Sequence, residues 1–525
     1  MEVLSFLLPM WEELQRSKHF ANYFISLLFL LLLLFISLRF TFSLTRSPKT
    51  KLKRPPSPPK LPIIGNLHQL GKLPHRSLQA LSKKYGPLMH LDLGYTPTLV
   101  VSSAGMLKEI TKNHDIAFSD RPKSMAADIF FYGCLDVAFT PYSEYWRQAR
   151  KFFVLELLSL KRALSFGFVK EEETAGLVRK LRDASSRGLA VNLSQMLIAT
   201  SNNVISRCIL GQKYEEDETT TRFGELSKRA MSQFTAFNFR DFFPYLSWMD
   251  VVTGLVSSLH ATFRELDPFL EKVIEDHKAA LSDKDEQSSD NKKDIVDILL
   301  QLQIDGGLDM ELTNVNLKAI LLDLFVAGSD TISATMEWTM AELMRNKSMM
   351  KRAQEEVRRV VGKKSSIDVS DINQMNYLKC VIKETLRLHP AAVIIFRETT
   401  ESVKLGGYDI APKTRVIYNV WAVQRDPNFW DRAEEFVPER FENSQVDFRG
   451  QDFQLVPFGV GRRGCPGVTF AMFVVEYVIA NLLYWFDWKL PDENNETPKN
   501  LDMDETVGLT KHRKNPLVVV PIPIT

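Results

Sequence analysis

Pro457-Phe458-Gly459-Val460-Gly461-Arg462-Arg463-Gly464-Cys465-Pro466-Gly467 holds one cysteine in a glycine-rich turn, and an almost wholly apolar run, Val468 through Leu483, follows at once. A proline tolerates the first turn of a helix because its missing N–H has no partner there in any case. Pro466 therefore marks the start of a helix, and Cys465 lies just before its N-terminus, where free N–H groups and the dipole favour a thiolate. Gly461, Gly464 and Gly467 let the backbone turn sharply and let a flat ligand come close. Arg462 and Arg463 offer cations to acidic groups on such a ligand. A thiolate open on one side suits axial ligation of heme iron. A cysteine alone would read as a small core residue.

The offsets Phe458-x-x-Gly461-x-Arg463-x-Cys465-x-Gly467 match the heme-binding signature of the cytochrome P450 family, so the chain resembles the heme-thiolate monooxygenases. The resemblance implies heme b, with Cys465 as the iron ligand and Phe458 and Arg463 among the residues that hold the cofactor. It also implies a mainly α fold with a small β part, a single large triangular domain.

The composition is compatible with that. There are 525 residues, with 66 basic and 64 acidic side chains and a formal charge of +2, which gives no reason to expect nucleic acid as a partner. Cys134, Cys208, Cys380 and Cys465 are widely spaced, which suggests neither a disulfide framework nor a zinc site and points to a reducing compartment.

Phe20 through Leu38 carries no charge and approaches the ~20 apolar residues that cross a bilayer as a helix. The run is too long for the apolar part of a signal peptide, and no small-residue cleavage site follows. Arg39, Arg46, Lys49, Lys51, Lys53 and Arg54 come next, which places the following domain in the cytosol. Pro55-Pro56-Ser57-Pro58-Pro59 reads as a stiff, extended spacer and resembles the proline-rich hinge of microsomal members. The expected organisation is a lumenal N-terminus over 1–19, a transmembrane anchor over 20–44, a basic flank and hinge over 45–66, and a catalytic domain over 67–525. The resemblance is closest to plant endoplasmic-reticulum members of specialised metabolism, which implies a single-pass protein of that membrane.

Further motifs follow in the family's order. Leu88–Leu93 and Thr98–Val101 read as a hairpin about Gly94-Tyr95-Thr96-Pro97. The stretch 124–140 shows no helical period and reads as a loop with aromatics, which in the family roofs the substrate pocket. Trp146 and Arg150 share one helix face. Alone they would be a surface cation–π pair, but the run resembles the family's motif in which both side chains bond a heme propionate. Leu317 to Leu343 has helical periodicity and a length of about 40 Å. In its middle lies Ala327-Gly328-Ser329-Asp330-Thr331. Ala327 and Gly328 are small enough for a flat cofactor to press against them. The Thr331 hydroxyl can bond the Ala327 carbonyl and open the helix there, and Asp330 with Thr331 can relay protons to bound oxygen. Ile332 departs from the family, where many members carry Thr or Ser.

Glu384 and Arg387 share a face of an apolar helix, which calls for a buried pair with further partners, and Arg440 in Phe436-x-Pro438-Glu439-Arg440-Phe441 is the candidate third member. Arg397 follows the apolar run 391–396 and, by resemblance, reaches a propionate. The candidate pocket is apolar throughout: Phe130, Phe131, Leu324, Phe325, Ala392, Val393, Ile394 and Leu509. That favours a neutral lipophile, a terpenoid first and a phenylpropanoid-type aromatic next. The partners the resemblance implies are O2, an NADPH-dependent reductase docking near Arg462 and Lys151, and the membrane.

Overall fold

The computed structural model describes residues 53–212, 218–282, 293–306, 311–491 and 501–524, with scattered helical positions between Tyr23 and Ser37. The chain divides into two compact units, Met1–Lys53 and Arg54–Thr525. Most of the expected anchor lies outside the described residues. Its described positions are helical, and Leu27, Leu30 and Leu34 there are exposed. The polar stretch from Ser282 to Asp294, which reads as a mobile loop, also lies largely outside them.

The large unit begins earlier than residue 67, and its proline-rich stretch is not a free spacer. Pro55 and Pro58 are buried, the Pro56 carbonyl accepts from the His90 amide at 2.8 Å, and the buried Asn66 side chain bonds the Pro58 and Pro59 carbonyls. Gly65 sits at φ +60°, and a Cβ there would meet the Asp92 carbonyl oxygen at 2.0 Å, so only glycine closes this turn.

Six helices carry the argument: α1 (Met125–Phe130), α2 (Glu144–Phe152), α3 (Leu193–Leu210), α4 (Asn314–Arg345), α5 (Asn376–Leu388) and α6 (Val468–Trp485). The strands are β1 (Leu88–Leu93), β2 (Thr96–Val101), β3 (Ile394–Glu398) and β4 (Arg415–Asn419). They form one sheet in the order β1-β2-β4-β3, with β2 parallel to β4 and the other pairs antiparallel. Two small apolar clusters line this sheet, and the main core lies among the helices.

Helix α4 is buried over most of its length. Thr313 caps it, with Thr313 and Asn316 each satisfying the other's backbone N–H. It and α6 are, among the described residues, the two helices long and apolar enough to cross a membrane, but both are mostly buried within the protein and serve as its core. Residues 125–130 form a helix rather than part of an aromatic loop. The Ser124 hydroxyl accepts from the Ala127 amide and starts it.

A buried ionic knot ties α5 to residues 424–440. Glu384 and Arg387 have no exposed side-chain surface, and their paired contacts are 2.7 and 2.9 Å. Arg387 donates its remaining N–H groups to the carbonyls of Gln424, Ala433 and Glu435. Glu384 also accepts from the Val437 amide at 2.8 Å and from Arg440 at 3.0 Å. Removing one partner from a satisfied buried pair costs about 3–5 kcal/mol, because the other charge stays behind. Arg387→Met in the detergent-solubilised full chain is expected to lower unfolding stability by that amount in denaturant titration, whereas Lys351→Met at the exposed pair with Glu355 changes little.

Candidate active site

The Cys465 amide donates to the Phe458 carbonyl at 2.8 Å, and the Gly467 amide donates to the Cys465 sulfur at 3.3 Å. Helix α6 starts at Val468 with Gly467 at its cap, so Pro466 precedes the helix instead of opening it. Gly461 has φ +67°, and a Cβ there would meet the Asp115 carboxylate at 2.3 Å. Phe458 contributes its carbonyl to this loop and its ring to an edge contact with Phe448.

Cys465 lies deep in the protein yet keeps accessible surface, so its sulfur faces an internal hollow. Burial pushes its thiol up, and the Gly467 N–H and the Arg150 charge pull against that. Burial thus opposes the thiolate that the helix position favours.

Four arginines converge nearby, with too few carboxylates to match them. Burial, then the charges of Arg397 and Arg463, push the Arg121 guanidinium well down from its usual value. Arg463 is pushed down to about 9 by burial and by Arg397, and Arg397 to about 10 by burial, with Arg150 adding to the effect. A guanidinium stays charged in proteins, so these shifts measure electrostatic cost, not deprotonation. Arg397 is buried, and its Nη2 has no hydrogen-bond partner. An orphaned buried guanidinium N–H among repelling cations fits an anion. Together with an accessible soft sulfur, this donor set fits an iron porphyrin with carboxylate arms.

The four arginines do not share one task. Arg463 spends its donors on the carbonyls of Ser119 at 2.7 Å, Val137 at 3.3 Å and Thr140, and stacks on the Trp146 ring at 4.1 Å. It ties the cysteine loop to residues 119–140. Trp146 has a single N–H, and it donates to the Val137 carbonyl at 3.0 Å. Trp146 therefore has no side-chain donor left for a carboxylate in this arrangement, which differs from its expected propionate role, whereas Arg463 has more N–H groups than these three bonds use. Arg150 donates to the Gly464 carbonyl and raises positive potential at the sulfur. Arg121, which carried no motif in the sequence, bonds the carbonyls of Ala138 and Phe396.

In α4 the Thr331 hydroxyl donates to the Ala327 carbonyl at 2.8 Å, but the helix runs on without the expected break. Ala327 is exposed to the interior although Leu324, Phe325 and Ile332 beside it are buried. Gly328 faces elsewhere. A Cβ on it would lie 3.0 Å from Ile205 Cδ1 on α3, and the Ser201 hydroxyl donates to the Ser329 carbonyl at 2.7 Å. Close approach of α3, not of a cofactor, accounts for this glycine. Asp330 bonds His512 at 2.9 Å, and His512 bonds Glu337 at 3.1 Å through its other nitrogen. His512 was not legible beforehand, since nothing in Lys511-His512-Arg513 marks a partner in α4.

The expected pocket residues divide by exposure. Leu509, Ala392 and Ile394 keep accessible surface. Phe130 and Phe131 are fully buried in a stack with Phe139 and Phe234, with centroids 5.4 to 5.7 Å apart. Leu324, Phe325 and Val393 are buried behind the accessible ones.

The family model described as cytochrome P450 matches residues 55–520. A phenylacetaldehyde oxime monooxygenase of Prunus mume is 52% identical over all of this chain and 99% of its own length. A costunolide synthase of Lactuca sativa is 45% identical over 91% of this chain and 95% of its own. A zebra fish cytochrome P450 solved with progesterone has a TM-score of 0.72 at 25% identity, covering 86% of this chain and 99% of that one.

Three substitutions separate the forces here. Gly328→Val is expected to cost about 1–3 kcal/mol by overpacking, and Ile205→Ala in the same chain recovers part of it; both are read as unfolding midpoints. Arg397→Met leaves the heme-free protein at least as stable, because it removes a repelling cation, while heme content after purification, read by absorbance, falls.

Proposed function

The chain belongs to the cytochrome P450 family and is a heme-dependent monooxygenase; from that premise we propose that it oxidises a neutral, lipophilic specialised metabolite of small aromatic type at the cytosolic face of the endoplasmic reticulum. Bound heme supplies the redox chemistry, placing one atom of O2 in the substrate with electrons that a reductase relays from NADPH. The observation that carries the reading is the accessible sulfur of Cys465 beside an unmatched arginine cluster.

In this reading Cys465 is the iron ligand, and the Gly467 N–H and Arg150 steady its negative charge. Arg397 and Arg121 receive the carboxylate arms. Asp330 and Thr331 hold and pass protons, with the Thr331 hydroxyl anchored on the Ala327 carbonyl. Ala327, Ala392, Ile394 and Leu509 shape the apolar space where substrate sits, and the aromatic stack behind them excludes water.

The preference for an aromatic over a terpenoid substrate rests on the relative that acts on phenylacetaldehyde oxime and on the planar stack of Phe131, Phe139 and Phe234. The costunolide synthase relative keeps a terpenoid as the second reading.

Support for the membrane comes from the apolar N-terminal run with its basic flank and from one continuous apolar surface. The Gly94 amide bonds the Ile64 carbonyl, the Tyr95 amide bonds the Phe242 carbonyl, and the Tyr95 ring meets Tyr245. Ile63, Tyr95, Tyr245, Trp248 and Val252 there are all more than half exposed, as suits a surface resting on lipid. For the reductase, Lys151 is exposed, whereas Arg462 is already paired with Asp115 at 3.0 Å. Lys151 is the stronger docking candidate.

The test starts with the reduced protein under carbon monoxide, where a red-shifted thiolate Soret band is expected and Cys465→Ala abolishes it. Titration with phenylacetaldehyde oxime is then expected to shift the resting Soret band. A shift with terpenoids and none with aromatic oximes overturns the substrate reading and leaves the enzyme class intact.

A further inference from the structure

The C-terminal segment meets the middle of α4 through one histidine that no motif marks. His512 Nε2 lies 2.9 Å from Asp330 Oδ1, and its Nδ1 lies 3.1 Å from Glu337 Oε2. An ionised carboxylate only accepts, so both ring nitrogens must carry hydrogen and His512 is an imidazolium in this arrangement. Glu337 is buried and further held by the Ser194 hydroxyl and the Arg513 amide. The imidazolium is thus fixed on one side and free to act only on Asp330.

The same residue closes a turn. The Thr506 amide donates to the His512 carbonyl at 2.9 Å, and the His512 amide donates to the Thr506 hydroxyl at 3.2 Å. Between them stand Val507 and Leu509, both exposed, and the Thr510 hydroxyl, which also bonds Asp330. Whatever presses on Leu509 presses on the hydrogen bonds of Asp330.

We propose that His512 is a positioning residue for proton delivery: it holds the Asp330 carboxylate ionised and aimed beside Thr331, and it links that carboxylate to the turn that carries Leu509. This rests on reading Asp330 and Thr331 as the proton-delivery pair. His512 forms no bond to substrate or cofactor.

The charged surroundings agree. Around His512 stand Asp330 and Glu337 from α4, and Lys511 and Arg513 from its own segment; Lys228, from the helix Glu218–Phe234, faces Asp330. Burial works against the imidazolium, yet Asp330 and Glu337 together raise His512 to about 9. Burial likewise works against the Asp330 carboxylate, and His512 nonetheless holds it below its ordinary value. A folded value above the unfolded one stabilises fully below about pH 6.5, and that contribution is lost as pH rises through about 9.

The holoenzyme with reductase, NADPH and O2 gives a readout that needs no identified substrate: hydrogen peroxide released per NADPH consumed. His512→Gln is expected to raise that ratio toward its stoichiometric ceiling at the expense of water formation, and His512→Arg, which keeps a cation, to bring it back toward the parent. Independently of turnover, His512 contributes a loss of unfolding stability between pH 6.5 and pH 9, and His512→Gln is expected to remove that part of the parent's pH profile. Should His512→Gln not fold, Glu337→Gln serves: it withdraws one carboxylate and moves the alkaline fall to lower pH. An Asp330→Asn effect on peroxide without a His512→Gln effect overturns the inference and spares the proton-delivery reading. No effect from Asp330→Asn sinks that reading and the inference together. A His512→Gln change in the unfolding profile with an unchanged peroxide ratio makes His512 merely structural and also overturns the proposal.

Discussion

Four guanidinium groups crowd the space around one cysteine loop, and the rest of the large unit is arranged to tolerate them. Like charges held close in a low-dielectric interior repel strongly. The fold answers with backbone carbonyls: Ser119, Val137, Ala138, Thr140, Phe396 and Gly464 all turn oxygens toward these arginines. That requirement explains why residues 119–140 wrap the cysteine loop closely, and why Arg463 acts as a strut between them.

The acids nearby are committed to other bonds. Asp323 accepts from the Val137 and Ala138 amides, and burial lifts its carboxyl to about 6. Asp136 is pushed well above the usual carboxylate range by burial and by Asp323, and bonds the Phe139 amide. Burial disfavours the ionised form of both carboxyls, so they offset the nearby arginines only in part. Glu384 is consumed by Arg387 and Arg440, and Asp330 by His512. Among the described residues, Arg121, Arg150, Arg397 and Arg463 therefore leave a surplus of positive charge beside Cys465.

What the sequence revealed depended on distance along the chain. The cysteine loop, the Trp146–Arg150 helix face and the Glu384–Arg387 pair are local patterns, and each lies together in the structure as its spacing requires. Long-range choices were not legible. Trp146 and Arg463 were free, on sequence alone, to bond a carboxylate; Trp146 donates to the Val137 carbonyl and Arg463 to those of Ser119, Val137 and Thr140, and nothing in a sequence says where a carbonyl from another loop will point. Gly328 looked like room for a cofactor beside Ala327, but adjacent helical positions face about 100° apart, and its side belongs to Ile205. The prolines from Pro55 to Pro59 carry a spacer composition; burial of Pro55 and Pro58 follows from the pairing of Gly65 with Leu93, which composition cannot encode. His512 and Asp330 stand 182 positions apart, so no spacing rule joins them.

The surplus of cations makes the cofactor part of the fold. A ligand that binds only the folded state stabilises it by mass action, and on the proposed reading the ligand's own carboxylates would relieve the repulsion among these arginines. Without them, Arg397 keeps a buried N–H with no acceptor, a defect worth about 1–3 kcal/mol or more for a charged group. The main apolar core packs around α4 and α6. The sheet edge at β3 is not so placed, because it carries Arg397 itself. Heme-free protein should therefore loosen first at β3 and at the loop 119–140 that shares its arginines, while α4, α5 and the Glu384 knot stay closed. On the proposed reading, in which Arg397 receives a carboxylate arm, cofactor binding and ordering of β3 are coupled, because Arg397 stands on that strand.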